Sequence, residues 1–177
     1  MKIQNFKGRW NPLQDRLLLE VIMSDQSVYS LWLTRKVTKQ FLVDTEASVK
    51  QSLTKKFSQD AIAAVQEFET ARIRGLLKRG GDEDKADLKP ILGSTPVLVQ
   101  SVQVEMEKKN RYQLRYLLAS KTVFILSLNR GQLIQLTCVL EELQKSAQWD
   151  LQLASPSGES TSTSQPLIEQ RPKKSLH

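Results

Sequence analysis

The chain has 177 residues, of which 40% are hydrophobic and 25% are charged, and its formal net charge is +7. These values are typical of one globular domain, or of two small lobes that share a core. No apolar run approaches the ~20 residues that span a bilayer, and the N-terminus lacks the pattern of a signal peptide. The single cysteine, Cys138, excludes an internal disulfide framework. We therefore expect a cytoplasmic protein.

Three apolar segments at the start of the chain predict strands, and turn residues separate them. They are residues 2–7, 17–23 and 28–33. In the third segment Leu31 and Leu33 point to one side and Trp32 to the other, because side chains alternate along a strand. We expect this strand to be covered on both faces, with Trp32 in the core.

Two helices are predicted next. Thr34 is a candidate N-cap for a helix from Arg35 to about Phe57, in which residues 44–46 mark a candidate break. A second helix is predicted from Ser58 to Arg79, before Gly80 and Gly81. Apolar spacing places its buried stripe at Ile62, Val65, Phe68, Arg72 and Leu76.

The C-terminal half repeats this order after a Pro- and Gly-containing linker, residues 80–96. Strands are predicted at residues 97–107, 111–119 and 122–128. Asn129 and Gln132 form a capping box for a helix that runs from Arg130 to about Ala147. The segment Leu-x-Leu-cap-Arg occurs at both strand-to-helix junctions, at residues 31–35 and 126–130.

We therefore predict an α+β fold. Two β-β-β-α units, residues 1–79 and 97–153, pack around a shared core, and one extra helix lies between them; the alternative is two tethered lobes. Residues 1–153 form the globular domain. Residues 154–177 are rich in Ser, Thr and Pro and are predicted to be disordered. Their one apolar segment, residues 166–168, is a candidate docking peptide.

The Leu-Trp-Leu-Thr-Arg junction, together with the later Leu-x-Leu-Asn-Arg-x-x-Leu helix that ends near Trp149, resembles small uncharacterised bacterial proteins that carry both landmarks. The resemblance covers roughly residues 1–153 and implies no particular activity or site residue. The repeated sheet-then-helix layout is also similar to Whirly- and PUR-type single-strand binders, although those proteins have four strands per unit rather than three.

The residue types that carry most enzyme chemistry are scarce in this chain. The one histidine is His177, so there is no central general base and no usual zinc ligand set. The seven glycines form neither a phosphate-binding loop nor a dinucleotide fingerprint. Cys138 lies near the apolar stripe of a helix, where a buried small residue is the simplest interpretation. We predict no enzyme activity, no cofactor and no metal.

The charge distribution points to binding instead. Residues 34–79 contain ten basic and five acidic residues, a net +5. The leading hypothesis is a binding or regulatory module that acts through protein–protein interaction, by a basic helical surface of Arg35, Lys36, Lys39, Arg72 and Arg74. Arg35 and Arg130 begin helices, so each is either a grip for an anion or a solvated first-turn residue.

The alternative hypothesis is sequence-independent binding of single-stranded nucleic acid. The strand at residues 111–119 alternates basic and aromatic residues, the two types that such proteins combine. The candidate residues are Lys109, Arg111, Arg115, Lys121, Tyr112 and Tyr116. The cations and the tyrosines lie on opposite faces of the strand, however, so we expect the tyrosines to face the core or the helix rather than a base.

Overall fold

The computed structural model describes residues 2–54, 58–77, 88–108 and 110–151. These residues form seven strands and three helices: β1 (Ile3–Asn11), β2 (Arg16–Met23), β3 (Ser27–Leu33), α1 (Arg35–Thr54), α2 (Gln59–Leu77), β4 (Lys89–Pro90), β5 (Val97–Lys108), β6 (Arg111–Leu118), β7 (Val123–Asn129) and α3 (Arg130–Ser146). The predicted α+β fold is confirmed, with two β-β-β-α units and an extra helix between them.

All strands belong to one mixed sheet with the order β1-β2-β3-β5-β6-β7. Within each unit the neighbouring strands are antiparallel, as hairpins require. The two units meet where β3 pairs with β5 in parallel, at Leu31 with Val97 and Trp32 with Leu98. The two residues of β4 extend this parallel pairing along β3. The connection from β3 to β5 contains both α1 and α2, as parallel neighbours demand.

The sheet is curved so that its two edge strands approach each other. α3 follows β7 directly, yet it also contacts β1 at the opposite edge. The Gln132 side chain donates a hydrogen bond of 3.3 Å to the Ile3 carbonyl, and the rings of Tyr29 and Phe124 lie 4.7 Å apart. The concave face therefore holds the helices, with α2 packed on the outer side of α3 and α1.

One hydrophobic cluster joins the two units. It takes alternate residues from the strands, such as Leu19 of β2 and Leu114 of β6, both fully buried. It also takes one stripe from each of α1 and α3, including Phe41 and Leu136. Gly8 lies where α3 approaches β1: a Cβ atom there would lie 2.4 Å from Leu143 Cδ1, so the leucine side chain would have to shift.

The predicted capping box is present at the start of α3. Gln132 donates its backbone N–H to Asn129 Oδ1 at 2.9 Å, and Asn129 donates its own N–H to Gln132 Oε1 at 3.0 Å. These bonds satisfy two donors that a helix N-terminus otherwise leaves free. At the start of α1 the Thr34 hydroxyl accepts a longer bond, of 3.4 Å, from the Val37 N–H.

Four details differ from the sequence-based expectation. Trp32 is half-buried rather than in the core, because the hydrophobic core lies on the other face of β3, where Leu31 and Leu33 join it. α1 continues through residues 44–46, where the buried Thr45 faces the sheet. β1 extends to Asn11, since Pro12 only terminates it. The short strand β4 lies in the predicted linker. The predicted disordered tail and residues 80–87 of the linker lie outside the described residues.

Candidate functional site

Arg35, the first residue of the predicted basic surface, is held by internal contacts. Its Nε atom donates to Asp15 Oδ2 at 2.8 Å, and its guanidinium lies 5.5 Å from the centre of the Trp149 ring. The Trp149 Nε1–H donates to the other oxygen of Asp15, at 2.7 Å. Arg35 and then Trp149, through these hydrogen bonds, lower the pKa of the Asp15 carboxyl below its ordinary value. Through these contacts Arg35 connects the start of α1 to the β1–β2 turn and to the residues that follow α3.

Arg74 is likewise paired within the chain. It donates to Glu141 of α3 at 2.5 Å, and this bond raises the pKa of the guanidinium. The neighbouring Cys138 is buried, as predicted, and burial raises the pKa of its thiol further from neutrality. A thiol in this setting is a packing residue rather than a nucleophile.

The three remaining cations of the predicted surface are exposed. Lys36 and Lys39 lie in the first turns of α1, and Arg72 lies near the end of α2. None of the three has an ion pair with another residue in the described ranges. Of the five predicted residues, two are thus paired within the chain, and three are exposed and have no ion pair among the described residues.

α2 faces the core with a different stripe from the one predicted. Ile62 and Ile73 are buried, and Glu69 between them contacts Arg130. Phe68 and Leu76 are instead 71% and 54% exposed. They lie four residues before and after Arg72, so the three side chains form one row on the solvent side of the helix. We call Phe68, Arg72 and Leu76 the α2 ridge.

Arg130, the counterpart of Arg35 at the second junction, is neither solvated nor free to hold an anion. Its side chain is only 12% exposed beneath α2, and its guanidinium lies 2.7 Å from Glu69 Oε2. The pair connects the start of α3 to the middle of α2. Both interpretations of Arg130 from the sequence were wrong, because the glutamate that neutralises it lies 61 residues earlier in the chain.

The structure corrects part of the predicted nucleic-acid surface. Tyr112 and Tyr116 are buried in the core, and the Tyr112 hydroxyl donates to Ser52 of α1 at 3.0 Å. Burial also raises the pKa of Tyr116. Neither ring is available to stack on a base. Arg111, Arg115 and Lys121 are exposed, and Lys109 lies outside the described residues.

The sequence pattern does not identify Phe68 and Leu76 as surface residues, because both fall on the stripe predicted to be buried. A signal against that stripe is present in the sequence, since its fourth residue, Arg72, is basic. A second row, Ile62, Val65, Glu69 and Ile73, also has helical spacing, and it is this row that the structure turns inward.

The described part of the chain contains no helix long and apolar enough to cross a membrane, and no group of three or more side chains suited to holding a metal ion. Compared with known protein families, with curated proteins and with solved structures, the chain gives no match.

Proposed function

We propose that this protein is a non-enzymatic, cytoplasmic binding module that acts through protein–protein interaction, and that the α2 ridge is its contact surface. This proposal is carried by the exposure of Phe68 and Leu76 on both sides of Arg72, an exposed cation that pairs with no other described residue. Aromatic and arginine side chains provide most of the binding energy at protein interfaces. Of the five residues of the predicted basic surface, the proposed contact surface keeps only Arg72, together with its apolar neighbours. Lys36 and Lys39 form a separate basic patch.

The partner that fits this surface is a helix with an acidic residue between two apolar ones. The ridge follows the i, i+4 row that packs into the groove of a second helix. Small residues flank it, since Ala64, Ala71 and Gly75 are exposed and a Cβ at Gly75 would meet no atom within 4 Å. A second copy of α2 fits poorly, because an antiparallel pair would place the two Arg72 side chains opposite each other.

Affinity capture from an extract of the source cells tests the proposal. The baits are the full-length chain and its Phe68→Asp and Arg72→Glu variants. We expect the wild-type chain to recover proteins that both variants lose, because each substitution places a negative charge at the centre of the contact. Truncation of such a central residue typically costs ~2 kcal/mol or more of binding energy.

The matched control is Leu13→Asp, since Leu13 is 95% exposed in the turn after β1. This variant removes an exposed apolar side chain that is not on the ridge, so it should recover the same proteins as the wild-type chain. Proteins captured equally well by all four baits would show that the ridge is not the contact surface.

The alternative function, sequence-independent binding of single-stranded nucleic acid, now depends on the exposed cations Arg111, Arg115 and Lys121, together with Lys109, which lies outside the described residues. A surface that neutralises ~4 phosphates predicts a slope near −3 for the logarithm of affinity against the logarithm of salt concentration. Absence of binding to an oligonucleotide at low salt would remove this alternative.

A further inference from the structure

A cleft of about 680 Å³ lies where the two edge strands of the curved sheet approach each other. One wall consists of residues 124–127 and Asn129, all from β7. The opposite wall consists of Lys2, Ile3, Met23 and Tyr29, at the ends of β1, β2 and β3. The cleft is separate from the α2 ridge and shares no residue with it.

The cleft follows the free edge of β7. Successive residues of a strand point to opposite faces, so a cavity that contacts residues 124–127 without a gap must contact the backbone edge between the faces. β7 pairs only with β6 and ends the strand order. Among the residues that the structure describes, the edge that faces the cleft therefore has no neighbouring strand.

The hydrogen-bond pattern identifies the unpaired backbone groups. Leu118 donates its N–H to the Thr122 carbonyl at 2.9 Å, and hydrogen-bonded pairs alternate along an antiparallel ladder. With Tyr116 opposite Phe124, the N–H groups of Phe124 and Leu126 point to β6. Those of Ile125 and Ser127 point into the cleft. The N–H of Asn129 also points away from β6, and it donates a hydrogen bond to the Gln132 side chain.

The charges at the cleft favour an acidic occupant. The side chains of Lys2 and Arg111 both line it, and neither has a hydrogen bond or an ion pair with any residue of the described ranges. The apolar side chains of Tyr29, Phe124 and Leu126 lie beside them. A second copy of this chain is a poor occupant, because pairing β7 with β7 brings two cationic clefts together.

We propose that this cleft binds an extended, acidic segment of a partner protein, which adds to β7 as a further strand. Main-chain hydrogen bonds to Ile125 and Ser127 give the affinity, as in other cases of strand addition. The apolar side chains hold alternate residues of the segment, and Lys2 and Arg111 pair with its carboxylates. The six residues 124–129 offer an edge of about 20 Å, so the segment has about six residues in contact.

Selection of a random decapeptide library against the full-length chain, followed by amide hydrogen exchange, tests the proposal. We expect enriched peptides that alternate apolar and acidic residues. Addition of one such synthetic peptide should slow exchange at Ile125 and Ser127. Exchange at Phe124 and Leu126, whose N–H groups already bond to β6, should stay unchanged and serves as the internal control.

Two pairs of variants separate the backbone and charge contributions. Ser127→Pro removes one outward N–H, a change that an edge strand tolerates, and should weaken peptide binding about tenfold, whereas Ser127→Ala should not. Arg111→Glu should also weaken binding, whereas Lys50→Glu, at an exposed cation of α1 that does not line the cleft, should not. Unchanged exchange at Phe124 and Leu126 confirms that each variant is folded.

Four outcomes would overturn the proposal. The first is that the selection enriches no peptide, and the second is that the enriched peptides bind the Ser127→Pro variant and the wild-type chain equally. The third is that the protection of Ile125 from exchange grows with protein concentration in the absence of peptide, a result that would identify a second copy of the chain as the occupant. The fourth is enrichment of sequences like Pro-Leu-Ile-Glu, residues 166–169, which assigns the cleft to the tail of this chain.

Discussion

Asp15 shows how a single exposed side chain can connect distant parts of a chain. It lies in the turn between β1 and β2, and its two oxygens accept hydrogen bonds from Arg35 and Trp149. Its backbone has a φ of 49°, a left-handed conformation that aspartate adopts more readily than most residues. The indole therefore has a partner for its N–H while its ring is buried, a combination that tryptophan requires.

The lowered pKa of Asp15 gives the first prediction. A carboxylate whose pKa is depressed by folding stabilises the folded state above its ordinary value, 3.8, and this contribution is lost as the pH falls through the lower, folded-state pKa. Asp15→Asn should lower the melting temperature at pH 7, and the difference from wild type should shrink as the solution is acidified below pH 3.8. A constant difference at all pH values would show that the ionised form has no special role.

Glycine provides the second prediction, since two glycines occupy opposite environments. Gly8→Ala places a Cβ atom against Leu143 and close to the Leu18 carbonyl, so overpacking should cost about 1–3 kcal/mol. Gly75→Ala, in open space on α2, should instead stabilise by about 0.5–1 kcal/mol, because alanine is the better helix former. Chemical denaturation measures both changes.

Measuring Gly8→Ala in a chain that also carries Leu143→Ala tests whether contact with Leu143 causes the loss of stability. If contact with Leu143 causes the loss, Gly8→Ala should cost less in that background than in the wild-type chain. Equal costs in the two backgrounds would assign the effect to the backbone of β1 rather than to its contact with α3.

At the scale of the elements, α2 is where sequence and structure differ most. Two rows of residues on this helix are nearly equally apolar. The row that contains Glu69 faces the core, where Glu69 pairs with Arg130. A buried arginine whose Nε has no hydrogen-bond partner in the described structure is costly without its carboxylate. The pairing of Glu69 with Arg130, 61 residues later in the chain, favours this orientation of α2, and the apolar spacing within the helix does not distinguish the two rows.

The third prediction follows from this pair. Glu69→Ala leaves Arg130 without its anion beneath α2 and should cost about 1–3 kcal/mol of folding free energy. Glu67→Ala, two residues away on the exposed side, should change stability by less than about 0.5 kcal/mol. Replacing both partners, as Glu69→Met with Arg130→Met, should recover much of the loss, because hydrophobic residues of similar volume often replace buried ion pairs well. Failure of the double variant to recover would mean that the charges themselves are needed.

The elements of this fold were largely predictable, because their signals are local. Alternation identified β6 and the apolar run identified β2, while the Asn129–Gln132 capping box fixed the start of α3 to the residue. The parallel pairing of β3 with β5 and the curvature of the sheet were not predictable, since both depend on contacts between segments far apart in sequence. For the same reason the sequence did not reveal the cleft along β7, and it placed Trp32 in the core because it could not show which face of β3 the helices cover.

At the scale of the whole molecule, the most important feature is the hydrophobic core that the two units share. The parallel contact between β3 and β5 is short, with Leu31 and Trp32 as the paired residues of β3. The two units are held together mainly by the helices, since α3 belongs to the second unit by sequence yet packs on β1 of the first. Neither unit can bury its apolar face without the other, because α3 supplies part of the cover for both.

The last prediction is therefore that the protein unfolds as one cooperative unit. Leu19→Ala in the first unit and Leu114→Ala in the second each remove a fully buried side chain and should each cost about 2–5 kcal/mol. Each variant should lower a single melting transition, seen identically by calorimetry and by tryptophan fluorescence, because Trp10 and Trp32 lie in the first unit and Trp149 lies in the second. Two separate transitions, with each variant lowering only its own, would instead describe two tethered lobes, in which β3 and β5 merely touch.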